Sequence, residues 1–311
     1  MSKVFTISSR VLLTCVLLLT QSMQFLSAQA YQVTDSFGKH KLNKPPERVV
    51  VTDWAILEQL IELGIEPIGA PELSLYKYYV KQPALPAKID DIGLRRSPNL
   101  KRIKQLNPDV IIVGTDQKSL ARPFSHIAPV MYYNNFSDKY RTNGKKTRER
   151  FLQIAELFQR REYAKQKLTN IDIEMAEIKE QIRKHFKGNP PTLTLIRFSS
   201  ASKCLIYGRN SIPLYTMQQL GLQPTMPSQR SKWGEKEVPI SHLTNHKNGY
   251  LIYIEPIQEQ HHIFSSTAWQ KLPAVREGRV RAMSASWSYG GAASTLYTAR
   301  ALRNTLLTIS L

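Results

Sequence analysis

Residues 145–187, KKTRERFLQIAELFQRREYAKQKLTNIDIEMAEIKEQIRKHFK, form a run without glycine or proline between flanks that both residues interrupt. In its second part Ala164, Leu168, Ile171, Met175, Ile178, Ile182 and Phe186 repeat at alternating threes and fours, the stripe of a one-faced amphipathic helix. Gly188 stops that pattern, and Pro190-Pro191 prevents an immediate restart. Phe151, Ile154, Ala155 and Phe158 make a similar stripe in the first part, but Arg161 and Glu162 follow on the same face, so a break is expected at residues 159–161. The second piece, residues 162–187, would be a rod of roughly 39 Å at about 1.5 Å per residue. No other run matches it in length to make a coiled coil. Strand and helix signals lie on both sides, so the rod reads as a stiff connector that holds two α/β lobes apart.

The chain has 311 residues and 42% hydrophobic content, which excludes general disorder and favours two domains over one. Residues 1–30 carry Lys3, Arg10, an apolar run VLLTCVLLL and Ala28-Gln29-Ala30, the layout of a cleaved secretory signal peptide. The expected organisation is a signal peptide at 1–30, an N-terminal lobe at 31–158, a connecting helix at 159–188 and a C-terminal lobe at 189–311. Without the leader 41 basic residues face 24 acidic ones, a net charge of +17, and Cys204 is the one cysteine left, so no internal disulfide can form. Such a surplus favours an anionic partner. Nucleic acid is not expected: the protein reads as exported, and the basic residues are spread over both halves without a recognition motif.

Arg48-Val49-Val50-Val51-Thr52 reads as a buried strand, DWAILEQLIELG as a helix capped by Asp53 and closed by Gly64, and residues 65–68 as the next strand. This is the repeating unit of an α/β layer. Trp54 stands at the C-terminal edge of the first strand, where open α/β sheets bind ligands, and core packing is an equal reading for it. LYKYYVKQPALPAKIDDIGLRRSPN reads as a functional loop, followed by a helix at 99–106 and a strand at 109–113. In the second half a strand is expected at 192–198, another at 250–254 after SHLTNHKNG, and a closing helix at 295–307. His261-His262 lacks metal-ligand spacing and reads as part of a surface loop. Cys204 has no catalytic setting, and no nucleophile motif is present.

RVVVTDWAILEQLIELGIEPIG, DIGLRRSPNLKRIKQLNPDVIIV, SSTAWQKLPAVREGRVRAM and WSYGG, in this order and spacing, resemble the periplasmic ferric-siderophore binding proteins of ABC importers. Trp54, Gly93-Leu94-Arg95, NFSD at 135–138, Trp233-Gly234, Trp287 and Tyr289 narrow the resemblance to the ferric-hydroxamate, ferrichrome-type binders. It implies two α/β lobes joined by one long rigid helix, as in class III periplasmic binding proteins, with the ligand in a shallow cleft between them. It also implies a monomeric, non-enzymatic periplasmic receptor that hands its cargo to an inner-membrane ABC permease with its ATPase. The siderophore would hold the iron, so no protein cofactor, metal ligand or catalytic residue is expected.

Arg95, in the GLR motif, is the first candidate for the ligand. A guanidinium presents a flat fork of donors that suits iron-bound oxygens, whereas the sequence alone favours a surface pair with Asp90 or Asp91. Trp54, Tyr79, Trp233, Trp287 and Tyr289 are the expected cleft walls, since rigid rings give contact area at low entropy cost. Gln117 stands where the hydroxamate binders place a cleft tyrosine, which leaves a citrate-type or other carboxylate siderophore as the alternative. Direct metal capture and an exported enzyme are the lesser alternatives. The acidic positions with which the family docks onto its permease fall at Arg122 and Tyr215.

Overall fold

A computed structural model describes residues 30–246 and 248–310, so the leader expected at 1–30 lies outside the described residues except for Ala30. A lead-in hairpin, β1 (Tyr31–Thr34) with β2 (Lys39–Leu42), precedes β3 (Val49–Val51), α1 (Trp54–Glu62), β4 (Gly69–Ala70) and α2 (Leu73–Tyr79). Next come β5 (Asp90–Asp91), a small hairpin of β6 (Gly93–Leu94) and β7 (Ser97–Pro98), α3 (Leu100–Gln105), β8 (Val110–Val113) and β9 (Val130–Tyr132). The first sheet runs β5-β4-β3-β8-β9 with every neighbour parallel. Its central strand β3 is three valines buried on both faces, as a parallel strand covered by helices must be.

Two local expectations are corrected. Residues 65–68 are not a strand; the pairing begins at Gly69, opposite Val50. Pro67 offers no amide hydrogen to a ladder, and a Cβ at 69 would lie 2.7 Å from Leu106 Cδ1, so a larger residue there would displace the Leu106 side chain. The aromatic-rich stretch is more structured than a loop: it contains α2 and the β6–β7 hairpin, whose two-residue tip is Arg95-Arg96.

α4 (Asn143–Leu157) and α5 (Arg161–His185) share the long uninterrupted run. The break falls at the expected place, with Gln159 left-handed at φ 54. All seven stripe residues from Ala164 to Phe186 are buried, and at the far end the Gly188 amide returns to the Arg183 carbonyl at 2.8 Å. The C-terminal half forms β10 (Leu193–Phe198), β11 (Lys203–Tyr207), α6 (Ile212–Gln219), β12 (Glu235–Pro239), β13 (Tyr250–Ile254), β14 (Val280–Met283) and α7 (Ser294–Leu306). Its sheet, β12-β11-β10-β13-β14, is mixed: β10, β11 and β12 alternate in direction, while β13 and β14 run parallel to β10. His261 and His262 are exposed, as expected, but on a short helix, Gln260–Ser265, instead of a loop.

The connector does not hold the lobes apart as a free rod. A one-sided stripe has to be covered, and here it merges into a single apolar core with β3, α1, β10 and α7. Arg300 of α7 clasps Glu174 of α5 through two bonds, Nε to Oε1 at 2.5 Å and Nη2 to Oε2 at 2.6 Å. The lobes also touch directly. Ser294, the first residue of α7, donates its amide (2.9 Å) and its hydroxyl to the Glu58 carboxylate of α1. Gly290 makes this approach possible, because a Cβ there would lie 1.8 Å from Ser294 Oγ and 2.2 Å from Glu58 Oε2. One turn on, Glu62 receives the Tyr297 hydroxyl from α7 and pairs with Lys167 Nζ of α5 at 2.6 Å.

Candidate functional site

The C-terminal end of β3 delivers Asp53 and Trp54 to the junction of the lobes. Asp53 Oδ1 accepts the Ile56 amide at 3.1 Å and so starts α1. Burial raises its carboxyl to about 6, against the pull of the Ile56 amide and of Arg95. The Trp54 ring is almost wholly buried, and its Nε1 donates to the Pro71 carbonyl at 2.9 Å. The Arg95 guanidinium lies over it, Cζ 3.6 Å from the ring centroid.

Arg95 does not pair with Asp90 or Asp91. Its Nε meets Glu72 Oε2 at 2.5 Å, while Asp90 pairs with Arg102 and Asp91 caps the neighbouring backbone at Leu73 and Gly93. No described residue accepts from the terminal nitrogens of Arg95, and its side chain is 36% exposed. The guanidinium is therefore held by its inner nitrogen and one face, with its outer donors turned to solvent.

Gln117 lines the outer part of the site, but its amide is fully occupied by protein. Its Oε1 accepts Thr52 Oγ1 at 2.7 Å and the Gly114 amide at 2.9 Å; its Nε2 donates to Thr52 O at 2.8 Å and Arg95 O at 2.9 Å. An amide has two donor hydrogens and one oxygen that accepts twice, so it has nothing left to offer a ligand. Gln117 instead ties β3 and the β8 end to the Arg95 hairpin.

The facing wall comes from the C-terminal lobe. Trp233 and Trp287 flank Tyr289, with ring centroids 5.9 Å and 5.1 Å from it at interplanar angles of 85° and 81°. Trp287 also meets Trp54 at 5.2 Å and Trp233 meets Phe136 at 5.2 Å, so the rings continue from lobe to lobe. Gly234, at φ +75, lets the Trp233 loop lie on Ser211, where a Cβ would be 2.7 Å from that Cα. Asn210 fastens the same loop across the lobes, its Nδ2 donating to Ser231 O at 2.8 Å and to Ser137 O at 3.1 Å. Glu235, which opens β12, receives the Tyr289 hydroxyl, and burial raises its carboxyl to about 7 despite the opposing pull of Arg197.

Asp53, Trp54 and Arg95 on one side and Trp233, Glu235, Trp287 and Tyr289 on the other line a cavity of about 340 Å³. Exposed Arg96 reaches it too, and an adjoining recess of about 480 Å³ extends past Glu72 and Gln117. Of the residues expected to line the cleft, Tyr79 is not among those around this cavity: its hydroxyl accepts Gln258 Nε2 at 2.5 Å, another bridge between the lobes. The sequence reading missed Glu72 and Glu235. Glu235 had no local signal, because the chain bends at Gly234, φ +75, and strand alternation does not carry from Trp233 to it. Glu72 had none either, being brought to Arg95 by the folding of residues between them. At the two family docking positions, Arg122 is exposed and Tyr215 packs on Gly144.

Among the described residues no three His, Cys, Asp or Glu side chains converge on a metal site, and no helix is long and apolar enough to cross a membrane. Cys204 is buried on β11, its thiol pushed up to about 12 by burial.

Known proteins share both this fold and this sequence pattern. The crystal structure of the siderophore-binding protein FhuD from Vibrio cholerae, bound to Fe3+-Desferal, superimposes with a TM-score of 0.82 at 38% identity, covering 85% of this chain and 99% of that one. The iron(3+)-hydroxamate-binding protein FhuD of Escherichia coli K12 is 26% identical over 267 residues, 84% of this chain and 87% of the relative. The petrobactin-binding protein YclQ of Bacillus subtilis shares the fold at a TM-score of 0.70 and 21% identity, covering 91% of this chain and all of that one. Residues 49–286 match the family described as periplasmic binding protein, and this chain belongs to that family.

Proposed function

We propose that this protein is the periplasmic substrate-binding component of an ABC importer for iron, capturing a ferric siderophore of the hydroxamate class in the cleft between its lobes and delivering it to an inner-membrane permease. The observation that carries this reading is Arg95, stacked on Trp54 and held at Nε by Glu72, with outer donors open to the cleft. Iron-bound hydroxamate oxygens keep partial negative charge and accept hydrogen bonds, so a fixed guanidinium fork suits them. The surrounding rings supply contact with the organic shell. In this reading the siderophore holds every coordination position of the iron, the protein works as a monomer, and no bond of the ligand is broken. A carboxylate siderophore fits less well, because Asp53 and Glu235 would face its anionic arms.

Tryptophan fluorescence tests the proposal, since Trp54, Trp233 and Trp287 all border the cavity. Adding a ferric trihydroxamate should quench it saturably at one ligand per protein, with the complex recovered unchanged. Adding iron(III) citrate or the iron-free chelator should have little effect. A stronger response to the citrate complex, or release of a modified ligand, would overturn the proposal.

A further inference from the structure

Residues 73–89 belong to the stretch read from sequence as a functional loop, yet none of them lines the cavity between the lobes or its adjoining recess. They form α2 and the segment that follows it, and they enclose a separate hollow of about 530 Å³. Leu73, Tyr76, Leu85 and Ile89, all buried or half-buried, floor this hollow, and exposed Lys77 and Lys81 rim it. Beside it α2 turns Leu75 and Tyr78 outward, 44% and 43% exposed. Residues three apart are neighbours on a helix surface, so these two make one exposed apolar face next to the hollow.

The same surface is positive, with nothing inside it to balance the charge. Residues 73–89 contain Lys77, Lys81 and Lys88 and no Asp or Glu. All three lysines are exposed, and their ammonium groups meet no acceptor among the described residues. The acidic residues that flank the stretch are already engaged: Glu72 by Arg95, Asp90 by Arg102, and Asp91 by the Leu73 and Gly93 amides. Exposed Leu and Tyr among unpaired lysines on long apolar stems suit the headgroup layer of an anionic bilayer, where rings sit at the polar boundary and ammonium groups reach phosphates. An acidic protein surface is a poorer match, because directional recognition of carboxylates favours arginine and this stretch has none.

We infer that α2 and residues 80–89 dock this protein on the surface of an anionic phospholipid membrane, with Leu75 and Tyr78 at the headgroup boundary and Lys77, Lys81 and Lys88 against lipid phosphates. α2 starts beside the cleft, since the Pro71 carbonyl accepts Trp54 Nε1 and Glu72 holds Arg95. Docking through this face keeps the edge of the cleft close to the membrane, where a permease would receive the cargo.

The test is co-sedimentation with vesicles of phosphatidylcholine, with and without phosphatidylglycerol, at about 0.1 M salt. The parent should bind the anionic vesicles and leave the neutral ones in place. Lys77→Gln with Lys81→Gln should lower that binding by at least about tenfold. Lys236→Gln with Lys271→Gln, which removes the same charge from exposed positions on the C-terminal lobe, should change it by less than about threefold. Leu75→Ser with Tyr78→Ser leaves every charge in place and should still lower binding by at least about threefold. Circular dichroism should show each variant folded like the parent. Absence of binding to anionic vesicles, parent-like binding of both patch variants, or an equal loss in the two lysine pairs, which would make overall charge the cause, would overturn the inference. Binding confined to native inner-membrane vesicles and abolished by proteolysis of those vesicles would assign the patch to a membrane protein and overturn it as well. Ligand capture is read separately by the fluorescence titration, so each reading can fail without the other.

Discussion

The two walls of the cleft are built by different physics. The N-terminal wall is a two-residue hairpin tip fixed by directional bonds: Glu72 on Arg95 Nε, Gln117 on the Arg95 carbonyl, and Asp91 on the backbone at Leu73 and Gly93. The C-terminal wall adds to its own ties, from Asn210 and from Tyr289 to Glu235, an extended packing of Trp233, Tyr289 and Trp287 on one another, with Gly234 seated against Ser211. The first arrangement aims donors at a particular place, and the second presents a broad surface of aromatic rings. Trp54 belongs to both, since one face carries Arg95 and its edge meets Trp287.

That shared ring gives the strongest way to break the comparison. Trp54→Ala should cost about 3–5 kcal/mol of folding stability, the usual range for a buried tryptophan, measurable by urea denaturation, and should weaken binding at both walls. A loss below about 1 kcal/mol would mean that Trp54 is only a lining residue and does not support the junction of the lobes.

Arg95→Ala should act on binding alone. Losing one or two charge-assisted hydrogen bonds, each about 1.5–3 kcal/mol, lowers affinity for a ferric trihydroxamate by at least about tenfold. Arg95→Lys should restore only part of it, because a point charge cannot reproduce the fork. Gln117→Leu should show a smaller loss, since it loosens the hairpin without removing a donor. If the +19 formal charge of the whole chain were what attracts the ligand, Arg95→Ala would bind like the parent and salt would weaken binding steeply.

Beneath both walls lies Glu58, fully buried, with its carboxyl raised to about 8 by burial although Ser294 donates to it twice. The folded protein therefore holds a proton there between about 4.5 and 8 that the unfolded chain releases, so this contribution to stability is present at low pH and declines as pH rises through that window. Melting temperatures of parent and Glu58→Gln from pH 5 to 9 should diverge accordingly, the variant losing less on the alkaline side. Parallel curves would place the charge elsewhere.

The smallest expected effect is the movement of one wall relative to the other. The covered stripe of α5, the Arg300–Glu174 clasp and the Ser294–Glu58 contact all oppose hinge bending. Ligand should then change the radius of gyration by little in solution scattering, and a large decrease would show that these ties give way on binding.

Much of this protein follows from local sequence. The stripe from Ala164 to Phe186, the break before Arg161, the triple-valine strand and the Asp53 cap all depend on neighbours within one turn or one pairing, so periodicity and capping chemistry suffice to read them. The GLR and WSYGG motifs likewise pointed to Arg95, Trp287 and Tyr289, which the fold brings to one cavity along with Trp54 and Trp233. Tertiary structure decided the rest. That Arg95 pairs with Glu72 and not with Asp90 or Asp91 depends on how residues 73–94 fold back, and no local pattern encodes that distance. Gln117 is absorbed by its hydrogen bonds because β3 and β8 lie side by side, and Tyr79 turns to Gln258 because the two lobes meet there. The long helix is a packed seam instead of a free rod for the same reason. Its sequence specifies an apolar face, but which surface covers that face depends on where α1 and α7, over a hundred residues away from it in one case, come to rest.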